Sequence, residues 1–117
     1  IISPKVNVEI IRATKAAGLL SIPGAFTPFE IITAYEAGTD FVKFFPADCV
    51  DPHYIKAIRT PINHIPLLAV GGVTPENLGM AGAGIGGAMV RKENVAANDF
   101  DAVAARAACY VAVVERL

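Results

Sequence analysis

With 117 residues, 54% of them hydrophobic and 18% charged, the chain suits one globular domain with a real core and is too apolar for a disordered segment. A net charge of −1 gives no electrostatic basis for nucleic-acid binding, and the six phenylalanines and three tyrosines are scattered without the basic residues that base stacking needs. No apolar run is long enough to span a membrane and no basic leader precedes an apolar segment, so a soluble, cytoplasmic protein is expected.

In chain order, short apolar runs alternate with helical patterns. Ile1 to Ser3 reads as a strand that Pro4 ends. A chain that opens on a core strand is expected to be an internal segment of something longer. Val6 to Ala17 has the helical period, with Val6, Ile10, Ala13 and Ala17 predicted on one face and Gly18 as the stop. Leu19 to Ile22 is predicted as a second strand, closed by Pro23-Gly24. Thr27-Pro28-Phe29-Glu30 combines an N-cap threonine, a first-turn proline and a glutamate three after the cap; its helix should reach Ala37, before Gly38. Asp40 to Phe45 is the third strand, and Asp51-Pro52 opens a helix through Tyr54, Ile55 and Ile58. Pro66 introduces a fourth strand, Leu67 to Val70, which ends on Gly71-Gly72. Thr74-Pro75-Glu76-Asn77 is another helix start. Between Gly72 and Gly82 there is room for a loop and only about two helical turns, so either an abbreviated helix or residues missing between Leu78 and Gly82 is expected. Gly84 to Gly87 is assigned to a fifth strand and its loop, and Asp99 to the cap of a last helix, Phe100 to Arg116.

Consecutive strand-helix units imply parallel strands with right-handed crossovers, in a doubly wound sheet or in part of a (β/α)8 barrel. Both architectures place function at the C-terminal strand ends. Here those ends carry Pro4, Pro23-Gly24, Lys43 to Pro46, Gly71-Gly72 and Gly86-Gly87.

Lys43 is the anomaly. It shares a strand face with Phe41 and Phe45, while Val42 and Phe44 point the other way. A run apolar on both faces fits a helix-covered parallel sheet, where an ammonium loses hydration and more of the amine is free to attack a carbonyl. A strand-end lysine that snorkels to solvent is the competing reading. The glycine pairs suit an anion, because glycine lets the backbone approach a phosphate and exposed N–H groups hold it without a formal charge; they are also ordinary turn residues.

The other polar residues carry less. Glu30 and Glu76 fall in first helical turns and Asp51 and Asp99 at caps, while Asp48 follows the lysine strand, either facing the site or solvated. His53 and His64 read as a helix-start and a loop histidine. Cys49 and Cys109 have no ligand-like spacing to either, so no metal site is expected. No Ser-His-Asp set or Walker-type loop is present.

Phe41-Val42-Lys43-Phe44-Phe45-Pro46-Ala47, with Ile22-Pro23-Gly24-Ala25-Phe26-Thr27-Pro28 before it and Ala69-Val70-Gly71-Gly72-Val73 and Ile85-Gly86-Gly87 after it, resembles the 2-keto-3-deoxy-6-phosphogluconate and phosphogalactonate aldolases. Leu68 to Leu78 looks closer to the phosphogalactonate branch. The resemblance implies a trimeric (β/α)8 barrel and a metal-independent class I aldolase that needs no cofactor. Such an enzyme cleaves a 2-keto-3-deoxy-6-phospho sugar acid to pyruvate and glyceraldehyde 3-phosphate.

It implies, too, that residues 1–117 form a single partial barrel domain supplying strands 4 to 8, with strands 1 to 3 absent. In that reading Lys43 forms the Schiff base, Gly71, Gly72, Gly86 and Gly87 bind substrate and phosphate, and Pro4 lines the site. The family's general acid/base glutamate and its carboxylate-binding arginine belong to a first half outside this chain. Phosphogluconate members tend to carry threonine where this chain has Val70 and serine where it has Ala88. Two further readings stand beside the aldolase: a non-catalytic half-barrel that binds a phosphorylated ligand or assembles with its own copies, and another phosphate-binding barrel enzyme such as an isomerase.

Overall fold

The computed structural model describes residues 1–73 and 82–115. The elements are β1 (Ile2–Ser3), α1 (Val8–Ala16), β2 (Ile22–Ala25), α2 (Pro28–Glu36), β3 (Val42–Phe44), a 3-10 turn (Ala47–Cys49), α3 (Pro52–Arg59), β4 (Leu67–Val70), β5 (Gly82–Gly84), α4 (Lys92–Ala96) and α5 (Phe100–Val114). The strands form one parallel sheet in sequential order, β1 to β5. This is the α/β alternation that the sequence predicts.

Helix starts follow local chemistry. Thr27 and Glu30 form a capping box with Pro28 in the first turn, Asp51 accepts from the His53 N–H at 2.7 Å, and Asp99 accepts from the Ala102 N–H at 3.1 Å. Each side-chain oxygen satisfies an N–H that has no partner within its helix. Gly18 and Gly38, with φ of +70° and +94°, follow the ends of α1 and α2 in the left-handed conformation glycine adopts without strain.

Several boundaries differ from expectation. Pro23-Gly24 lies inside β2 rather than closing a strand at Ile22, and Leu19 and Leu20 are exposed. The reason is a close approach: a Cβ on Gly24 would overlap the Pro4 carbonyl, so glycine there lets β1 and β2 meet. The face of α1 is also rotated, since Ile11 and Thr14 are buried while Ile10, Ala13 and Ala17 are exposed. The start also differs: Asn7 Oδ1 accepts from the Ile10 N–H at 3.1 Å and begins the helix later than the apolar pattern suggests. β5 begins at Gly82, so Gly86-Gly87 belongs wholly to its exit loop, and α4 was not predicted. The expected helix start at Thr74, Glu76 within it, and the expected gap between Leu78 and Gly82 lie outside the described residues.

The two sheet faces are unequal. Ala25, Val42, Phe44, Leu67 and Ala69 are buried against Ile31 and Ala34 of α2, Ile11 of α1 and Ile58 of α3. The opposite face carries Gly24, Lys43, Leu68 and Gly82 at one register level, with Val70 and Gly84 at the level toward the strand exits. Except for Gly24, which Pro4 covers, these residues are only half-buried or exposed.

Candidate active site

β3 places Val42 and Phe44 in the helix-side core and therefore turns Lys43 to the open face. Lys43 is half-buried rather than enclosed, because among the described residues no helical layer covers that face. Its Nζ lies 4.5 Å from the centroid of the Phe45 ring, within cation–π range. The same ring borders the next strand's exit: a Cβ on Gly71 would meet its Cδ2 and Cε2 at 3.4 Å. Phe45 thus stands between the amine and the glycine loop.

The exits of β4 and β5 enclose a cleft of about 220 Å³ with Phe45, Val70, Gly71, Gly72, Gly86 and Gly87 among its lining. Gly71 and Gly72 have φ of +90° and +58°, conformations that strain a side-chain-bearing residue. Among the described residues, nothing lies within 4 Å of where a Cβ on Gly86 or Gly87 would be. All four sequence-predicted glycines therefore meet at one cleft, and Lys43 adjoins it through Phe45. Pro4 does not line it; it sits at the β1 exit with its carbonyl against Gly24.

Asp48 approaches from the 3-10 turn, and its side chain lies directly behind Gly72, where a Cβ would be 2.7 Å from Cγ. His64 stacks edge-on against Tyr35 at 5.3 Å, and the two cysteines are free and exposed. Among the described residues no group of three His, Cys, Asp or Glu side chains could hold a metal ion.

Two carboxylates are held below their ordinary range. Glu30 is lowered by the N–H and hydroxyl of Thr27 and the N–H of Phe26, and Asp40 by Lys15 at 2.6 Å and the Ser21 N–H at 2.8 Å. Both are committed to fold contacts. Lining residues that sequence reasoning did not assign to the site include Phe45, Val73, Gly84 and Ile85. Their positions beside predicted strand exits are the signal that could have found them.

The family described as KDPG and KHG aldolase matches residues 1–106. The chain belongs to that family. It is 39% identical over 118 residues to the 2-dehydro-3-deoxy-6-phosphogalactonate aldolase of Escherichia coli K12, a match covering 95% of this chain and 56% of the relative. It is 31% identical over 112 residues to the 2-dehydro-3-deoxy-phosphogluconate aldolase of Treponema pallidum, covering 90% and 53% respectively. A solved structure described as native KDPGal superposes with a TM-score of 0.85 at 36% identity, over 99% of this chain and 58% of that one. The chain thus spans about half the length of the curated relatives it matches.

Proposed function

We propose that this chain carries the Schiff-base half of a class I aldolase that acts on a 2-keto-3-deoxy-6-phospho sugar acid, releasing pyruvate and glyceraldehyde 3-phosphate. The observation that carries the reading is the placement of Lys43 on the open face, one aromatic ring away from a cleft whose wall includes Gly71, Gly72, Gly86 and Gly87. The Lys43 amine adds to the C2 carbonyl and water leaves, giving an imine. The imine then accepts the electron pair of the C3–C4 bond as the aldehyde departs, and protonation and hydrolysis release pyruvate and the free lysine. The glycine backbone groups at the β4 and β5 exits hold the phosphate end.

In this reading β1 to β5 correspond to strands 4 to 8 of a (β/α)8 barrel that assembles as a trimer in the cytoplasm, and the general acid/base is a glutamate of the barrel's first half. Without that glutamate, imine formation at Lys43 remains possible, but proton transfers are slower by roughly 100- to 10,000-fold. Pyruvate with borohydride should attach a reduced adduct to Lys43, located by peptide mass. Lys43→Ala should lose it, and an adduct of equal yield in that variant would defeat the proposal.

The second reading is a non-catalytic phosphate-binding half-barrel or assembly module. It is favoured by the apolar surface left at the β1 side, where Ile1, Ile2, Leu19 and Leu20 are exposed. It predicts phosphate binding with no pyruvate adduct.

A further inference from the structure

We infer that Arg106 is a positioning residue for the phosphate end of the cleft: it braces the Gly86–Val90 loop from behind and supplies that loop with a positive charge. This rests on reading the glycine cleft as the phosphate end. Among the described residues the loop has little else to hold it: nothing lies within 4 Å of a Cβ at Gly86 or Gly87, and the Gly86 carbonyl is occupied by the N–H groups of Met89 and Val90, each at 2.9 Å. The tie comes from α5. Arg106 Nη1 donates to the Met89 carbonyl at 3.3 Å and to Asn94 Oδ1 of α4 at 3.2 Å, joining both helices to the residue that follows Ala88 of the cleft.

Both acceptors are neutral. Among the described residues the ion pairs are Lys15 with Asp40 and Arg91 with Glu93, so no carboxylate there offsets the half-buried guanidinium. Arginine stays protonated throughout the accessible pH range. A purely mechanical brace could be built from a neutral donor. An uncompensated cation behind a loop of open backbone groups adds attraction for a dianion that those groups alone lack.

The test is titration of the full chain with inorganic phosphate, followed by the amide shifts of Gly86 and Gly87 at low and high salt. The wild-type amides should respond, more weakly as salt screens the charge. Arg106→Gln should bind phosphate roughly five- to tenfold more weakly and with a flatter salt dependence. Arg106→Lys keeps the charge but loses the planar fork, so it should retain the salt dependence with intermediate affinity. Silent wild-type amides would overturn the inference, as would an R106Q chain with wild-type affinity or with an undiminished salt dependence. If R106Q does not fold, R106K decides: weakened binding with retained salt dependence supports the brace, and unchanged affinity overturns it. Failure of the aldolase reading appears separately, as absence of a borohydride-trapped adduct on the wild-type chain with pyruvate, a ligand that has no phosphate.

Discussion

Gly72 combines two reasons to be glycine. Its φ is +58°, and a Cβ would overlap the Asp48 Cβ and lie 2.7 Å from Cγ. Gly72→Ala should therefore destabilise the fold by about 1–3 kcal/mol, read from urea unfolding. Asp48→Gly in the same chain should recover part of that loss, because it removes the overlapping atoms and leaves only the backbone strain. Strictly additive effects would show that the Asp48 contact does not dictate the glycine. Lys43 illustrates the same point from the other side. Its chemistry was legible as a cation in an apolar run on a face shared with Phe45, whereas the choice between an enclosed and a half-exposed setting, and the 4.5 Å approach of its Nζ to that ring, were not. Those depend on which sheet face stays uncovered.

At the scale of elements, β1 is held by few contacts. It pairs with β2 only at Ile2↔Ile22 and Ser3↔Pro23, with the Ile22 N–H donating to the Ile1 carbonyl at 2.8 Å. Gly24 permits this pairing by leaving room for the Pro4 carbonyl, whose carbon would lie 2.7 Å from an added Cβ. Gly24→Ala should push β1 off the sheet at a cost of roughly 1–3 kcal/mol. Amide exchange at Ile22 should then quicken while Phe44 and Ala69 stay protected. Equal protection of Ile22 in both chains would show that the strands accommodate the methyl group. The starts of α2, α3 and α5 were readable because a cap is a local event among four residues. The limits of β2 were not, because proline and glycine punctuate a chain unless a neighbouring strand requires them inside the sheet.

Across the whole molecule, acid lability should trace to the two lowered carboxylates. Asp40 joins α1 through Lys15 and the entry to β2 through Ser21, while itself preceding β3; Glu30 closes the start of α2. A carboxyl whose folded pKa lies below its unfolded value contributes stability at pH above the unfolded value. That contribution is lost as pH falls through the folded one. Urea midpoints should accordingly be flat near neutrality and fall below about pH 4. Asp40→Asn should shrink that fall, and an unchanged acid limb would exclude Asp40 as a source.

The alternation of strands and helices, the caps, the lysine and the glycine pairs were determined by the sequence alone, since each depends on neighbours a few residues away or on the cost of a charge in an apolar run. Tertiary structure decided what these parts do together. Parallel register sets Gly24, Lys43, Leu68 and Gly82 at one level, carries Phe45 between the amine and Gly71, and brings Arg106 of the last helix behind the loop that follows β5. Such contacts join residues remote in sequence, and their geometry exists only once the sheet has formed.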